Sequence, residues 1–258
     1  MYPTIAVGPF SISVYTLVRM AALAIMIIAV LLRLRGRQWP ITAADLFLRG
    51  VPLLTVGLVA GSIAENVLTH LATQATQGVP FPPGWWLESR WLGAFGGASL
   101  AGYLYCRQRG LPVGRTFDLF AVPLPLVAAV GRTACLLNGC CYGQETTAWP
   151  AIVLPDVYGV WASRYPTQPA GILANLLIFV VLLVFEQCTQ RVKADGWPFY
   201  GFLYLSFAVL HLGQRFLIEF WRVDTPRLGT LTLQQFLCAA GIGLAGWLLV
   251  RGLSDKES

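Results

Sequence analysis

Four arginines, two glutamates and a histidine stand where a lipid bilayer makes charge costly. Arg19, Arg132, Arg215 and Arg222, with Glu65, Glu219 and His211, fall inside or at the ends of strongly apolar runs. An arginine at the centre of a membrane helix costs about 2.5–3.5 kcal/mol on insertion scales, so a group of them calls for partners or a water-filled cavity. Arg215 and Glu219 are four residues apart on one helix face and suit an ion pair. Four arginines against two glutamates leave a positive surplus, and such a pocket suits an anion. The anion at hand is a phospholipid headgroup, whose phosphate oxygens match the planar guanidinium fork. Snorkelling to the interface, with pairing to Glu65, Glu219 or Asp224, is the plainer alternative for Arg19 and Arg222.

The elements that position these residues are membrane spans. Of 258 residues, 56% are hydrophobic and only 12% charged, well below the share of about 25% typical of soluble domains. The apolar runs divide into about seven helices, near 10–32, 43–68, 91–106, 116–137, 169–185, 198–221 and 231–250. The expectation is one all-α, polytopic membrane domain over residues 1–258. A Pro/Gly/Trp-rich stretch before Trp91 reads as an outer interfacial loop, and residues 138–168 as another. Ten of the 18 basic residues follow apolar runs or lie near the C-terminus: Arg33, Arg35, Arg37, Arg107, Arg109, Arg115, Arg191, Lys193, Arg251 and Lys256. The positive-inside rule then sets the N-terminus outside and the C-terminus in the cytoplasm. The net charge of +6 is spread over these loops and makes no single basic face, so no nucleic-acid partner is expected.

That topology sets depth. Arg132 lies 17 residues beyond Arg115, and Arg215 lies 17 beyond Pro198. With a rise of about 1.5 Å per residue, both sit about 25 Å from the cytoplasmic side of a core about 30 Å thick. Tyr15 and Arg19, one turn apart in a span entering from outside, reach the same outer-leaflet level.

Six cysteines show no CxxC…CxxC framework, so neither a zinc site nor any other metal or cofactor is expected. Cys140 and Cys141 are adjacent and poorly placed to bond each other. They read either as reactive thiols beside Arg132 or as small packing residues.

The run GRTACLLNGCCYG (131–143) resembles the signature of prolipoprotein diacylglyceryl transferases, roughly GRxxNxxNGExxGR. ISVYTLVRM near the start resembles the family's first-span tyrosine motif, and FGGASLAG (95–102) its HGG segment. RYPTQ (164–168) is similar to its RHPSQ, RFLIEFWR (215–222) to its RxxxEFxR, and GTLTLQQ to the lead into its last span. The resemblance implies transfer of a diacylglyceryl group from phosphatidylglycerol to a lipobox cysteine of a prolipoprotein, at the outer face of a bacterial inner membrane. It implies that Arg132 and Arg215 hold the phosphate, with Glu219 orienting Arg215. Tyr15, Asn138, Gly143, Arg164, Gln168 and Arg222 would line the substrate site, Gly143 through a tight turn. For Asn138 and Gly143, a turn at a helix end is the alternative.

Departures from the pattern bear on catalysis. Phe95 stands where the family has its HGG histidine, Cys135 where it has the first signature asparagine, and Cys140 where it has the glutamate. Gln144 replaces the terminal arginine, Ser62 the arginine of a second-span GGR, and Tyr165 the histidine of RHPSQ. His211, one turn before Arg215, reads either as a replacement base or as a helix-packing histidine. The competing functions are a non-catalytic lipid-binding relative and, from a different class, an anion transporter. Transporters more often place broken helices at the midplane, whereas these charges gather toward one face.

Overall fold

The computed structural model describes residues 4–7, 10–36, 39–78, 80, 90–191, 198–223 and 227–254. Arg37, Lys193, Asp224, Lys256 and most of the Pro/Gly/Trp-rich stretch before Trp91 lie outside the described residues.

A short hairpin, β1 (Thr4–Val7) and β2 (Phe10–Ser13), pairs Thr4 with Ser13 and leads directly into α1 (Val14–Gly36). The first span therefore starts at Val14, four residues later than the apolar run. α2 (Ala43–Asp45), a π-helical turn (Leu46–Gly50) and α3 (Val51–Gln77) follow as one column. Its polar C-terminal end carries it to Gln77, well beyond the apolar limit at residue 68. α4 (Trp91–Arg109) runs beside it, and Gly57 and Gly61 of one helix meet Gly93 and Gly97 of the other. A β-carbon on Gly61 would strike the Gly93 carbonyl, so only glycine allows the two backbones this close.

The fourth apolar run is two helices, α5 (Val113–Ala121) and α6 (Pro123–Asn138), bent by 43°. Pro123 and Pro125 lack the amide protons that would carry the helix through, which accounts for the break. A two-stranded hairpin, β3 (Ile152–Pro155) and β4 (Trp161–Arg164), occupies the long loop before α7 (Thr167–Arg191). α8 (Phe202–Ile218) tightens into a 3-10 turn over Glu219–Trp221. β5 (Arg227–Leu228) and β6 (Leu231–Thr232) lead into α9 (Leu233–Ser254).

Among the described residues, four helical stretches are long and apolar enough to cross a membrane: Val14–Arg35, Ala43–Thr76, Thr167–Cys188 and Leu233–Ser254. The bent pair α5–α6 makes a fifth if it forms one span. Few residues of the four are buried, and Met20, Ile28, Leu48, Val56, Leu177 and Val250 face outward. Exposed aliphatic surface on this scale needs lipid around it. The chain is a helical membrane protein.

One end of the bundle is tied by Arg33, which donates to both carboxylate oxygens of Glu186 at 3.0 and 2.8 Å and to the Asp118 carbonyl. Asp118 in turn accepts from the backbone N–H groups of Gly201 and Tyr204 at the start of α8.

Candidate functional site

The charged cluster lies toward the opposite ends of α6 and α8. Glu219, 1% exposed, offers Oε2 to two arginines: Arg222 donates to it at 3.1 Å, and Arg215 sits 3.6 Å away. The helix tightens into its 3-10 turn here, placing Arg215, Glu219 and Arg222 on one side. Arg215 is 5% exposed and Arg222 7%. Arg132, on α6, and Arg222 both lie within electrostatic reach of Arg215, and Arg132 also reaches His211. Among the described residues Arg132 makes no ion pair.

Two guanidinium groups therefore share one carboxylate, with Arg132 close to Arg215 as a third positive charge. The Nε and Nη1 atoms of Arg215 and the Oε1 atom of Glu219 are buried without hydrogen-bond partners among the described residues. A buried unpaired donor costs about 1–3 kcal/mol, more when charged, so these N–H groups are poised for an acceptor with several oxygens.

Glu65, 3% exposed, lies elsewhere and pairs with none of these arginines among the described residues. Its Oε2 accepts from the Gly93 backbone N–H at 2.5 Å and its Oε1 from Gln234 Nε2 at 2.8 Å. It ties α3 to α4 and α9. Arg19 is exposed, donates to the Tyr15 hydroxyl at 3.2 Å and stacks over that ring. Tyr15 itself comes within electrostatic range of Cys135 and Cys140, at the cluster's edge.

His211 does not have the geometry of a base. The Trp91 indole N–H donates to His211 Nε2 at 2.7 Å, and because an indole nitrogen only donates, that lone pair is used. His211 Nδ1 is 2.8 Å from Asn175 Oδ1, while Asn175 Nδ2 donates to the Gly171 carbonyl. Nδ1 therefore carries the proton, and both ring nitrogens are engaged. His211→Phe should strand the Trp91 N–H and the Asn175 carbonyl oxygen, costing about 2–4 kcal/mol at about 1–3 kcal/mol for each buried group. Thermal unfolding in detergent checks this. A base role would instead give lost turnover at unchanged stability.

Gly143 also differs from expectation. Its backbone is not left-handed; the positive φ angles belong to Gly139 (61°), which follows Asn138 at the end of α6, and to Cys141 (62°). Gly143 is buried where a β-carbon would hit the Tyr165 carbonyl, and it pairs with Arg222 across an antiparallel bridge. The next residue extends the layer: Gln144 N–H donates to the Trp221 carbonyl at 2.8 Å, and Tyr165 N–H to the Gln144 carbonyl at 3.0 Å. Close approach, and not a turn, is what requires glycine here.

Arg164 is 4% exposed and already occupied. It pairs with Glu145 at 3.0 Å and Asp156 at 3.2 Å and stacks over Tyr142. Asp156 also accepts from the Val160 and Tyr158 backbone N–H groups; these bonds, with Arg164 nearby, hold its carboxyl below the usual carboxylate range. Arg164 braces the β3–β4 hairpin, while its Nε is buried without a hydrogen-bond partner among the described residues. Gln168 is fully buried and donates to the Cys140 carbonyl at 3.1 Å, while the Thr167 hydroxyl donates to the Cys141 carbonyl at 2.8 Å. These two side chains hold the turn after α6.

The residues that sequence reasoning passed over are Trp91, Asn175 and Gln234. Asn175 gave a signal, as a lone amide inside the apolar run of α7, whereas Trp91 and Gln234 look ordinary at helix starts.

Two buried arginines on one buried glutamate, at one end of a helical bundle, define a membrane protein with a charged site inside it. Residues 3–251 match the family model for prolipoprotein diacylglyceryl transferase, and the chain belongs to that family. Similar curated proteins carry the name phosphatidylglycerol–prolipoprotein diacylglyceryl transferase. That of Chlorobaculum tepidum is 33% identical over 160 residues, 58% of this chain and 52% of its own length. That of Nitratidesulfovibrio vulgaris is 30% identical over 208 residues, covering 78% and 75%. That of Clostridium tetani is 25% identical over 241 residues, covering 88% and 89%. The match thus spans about half of the first relative and most of the others.

Proposed function

We propose that this protein transfers the diacylglyceryl group of phosphatidylglycerol to the thiol of a prolipoprotein cysteine, at the outer face of a bacterial cytoplasmic membrane. In this reading α4 and α8, too short or too polar to qualify as spans alone, cross with the other five columns, leaving the N-terminus outside. The observation that carries it is the surplus of charge: Arg215 and Arg222 on a single glutamate with Arg132 beside Arg215, and two Arg215 nitrogens without a partner among the described residues.

The chemistry needs that surplus. The thiol sulfur attacks the glyceryl carbon bearing the phosphate ester, the carbon–oxygen bond breaks, and glycerol phosphate leaves with the electron pair. Fixed guanidinium groups stabilise the charge growing on the departing phosphate in a water-poor site. Arg132 and Arg215 grip the phosphate, Glu219 holds Arg215 and Arg222 in place, and Tyr15 and Asn138 border the cavity. The same field stabilises the incoming thiolate, which is the nucleophile. With Phe95 in the histidine position and His211 engaged, the thiol proton ends on the leaving phosphate monoester, whose second pKa is about 6.

Complementation of cells depleted of their own diacylglyceryl transferase tests the reading. Growth should return, and purified protein should release one glycerol phosphate per thioether formed on a lipobox peptide. The engaged His211 and the missing family histidine favour one rival, a lipid-binding relative without turnover. Phosphatidylglycerol binding with neither rescue nor product would establish that rival and overturn the transferase.

A further inference from the structure

We infer that Cys135, Cys140 and Cys141 form a three-sulfur site for a thiophilic monovalent cation of the copper(I) class, beside the arginine cluster and independent of the transferase reading. Their sulfur atoms all lie within 4.8 Å of one another. Three thiolates placed trigonally at about 2.3 Å from a metal stand about 4 Å apart, so only small side-chain adjustments separate this arrangement from a ligated one.

The turn that brings them together is built, and is no accident of a loose loop. Cys135 lies in the last turn of α6, Gly139 reverses the chain at a φ of 61°, and Cys141 follows at 62°. A left-handed backbone is strained at a residue with a β-carbon and persists only where its surroundings enforce it. Here the surroundings are two buried side chains: Gln168 holds the Cys140 carbonyl and Thr167 the Cys141 carbonyl.

Charge and ligand number select the metal. Three thiolates around a monovalent cation carry two negative charges. The Arg132 and Arg222 guanidinium groups, both within electrostatic reach of Cys141, offset part of that charge, Arg222 while also paired with Glu219. A closed zinc site wants four ligands, and among the described residues no fourth histidine, cysteine or carboxylate joins these three. Soft sulfur ligands at low coordination number suit copper(I). Binding needs no redox step: each thiol gives its proton to solvent and its sulfur lone pair to the metal.

The test uses the full-length protein in detergent, reduced and free of oxygen, in a Cys188→Ser background that removes the exposed cysteine. Copper(I) is titrated in competition with bicinchoninate. One copper per chain is expected, with an X-ray absorption spectrum of sulfur-only, three-coordinate metal. Cys135→Ser, Cys140→Ser and Cys141→Ser should each weaken binding at least about tenfold, comparable to or beyond the loss of an outer-shell partner. Cys106→Ser and Cys238→Ser should leave it unchanged. Unaltered melting temperatures keep misfolding from imitating the result. No competition with the chelator, binding that survives all three substitutions, or preferred zinc with a nitrogen or oxygen ligand would each overturn the site.

Discussion

Arg215→Ala is expected to lower transferase turnover by about 10²–10³, the loss typical when one preorganised oxyanion donor is removed. The protein should stay folded and inserted. The reason lies in how its charge is held. Arg215 is 3.6 Å from Glu219, while Arg222 lies closer, at 3.1 Å, so removing Arg215 leaves the glutamate still paired. It also removes two buried guanidinium nitrogens that have no partner among the described residues. Breaking a buried pair is costly when it orphans a charge, and here no charge is orphaned. Stability should therefore hold or rise slightly while activity falls, a separation that a purely structural arginine would not show.

Arg215→Lys sharpens the test. Lysine keeps the charge but offers a point in place of a fork, so bidentate phosphate contact is lost. It should recover little of the lost rate. Turnover is read in a phosphatidylglycerol and lipobox-peptide assay, stability by melting in detergent. Wild-type turnover in Arg215→Ala would remove this residue from phosphate binding altogether.

The parts of this molecule legible in the sequence were those whose signal is local. Apolar runs located the helices, because the cost of burying a polar backbone in lipid forces each run into one. The i,i+4 spacing of Arg215 and Glu219 predicted their pairing, since helix geometry alone makes them neighbours. What stayed hidden was set by partners distant in the chain. His211 reads as either a base or a packing residue because nothing nearby says that Trp91, 120 residues earlier, fills its lone pair. The RYPTQ resemblance puts Arg164 at the substrate site, but not the Glu145 and Asp156 that folding brings to it. Glu65 invited pairing with an arginine, yet its partners are a backbone amide of α4 and a glutamine of α9. Residue type was informative in each case, but occupancy was decided by the fold.

The same distinction governs the largest expected effect on folding, which is Gly61→Leu. Gly57 and Gly61 have the GxxxG spacing of a close-packing helix face, but the sequence does not say which helix packs on it. In the fold, a β-carbon on Gly61 would strike the Gly93 carbonyl and crowd Gly97, and Gly93 faces Gly61 reciprocally. Backbone cannot swing aside as a long side chain can, so the two helices must separate along the whole Gly57–Gly97 contact. Overpacking a tight interface costs about 1–3 kcal/mol for added methylenes, and a leucine against backbone lies at or beyond the upper end. Separation would also carry Gly93 N–H away from Glu65, leaving a buried carboxylate with one donor fewer. Gly61→Leu is therefore expected to lose most folded protein, and Gly61→Ala to lower the melting temperature clearly. Gly96→Ala is the control, because a β-carbon at that position meets nothing within 4 Å. Equal melting temperatures for Gly61→Ala and Gly96→Ala would mean that α3 and α4 do not pack through these glycines in the membrane.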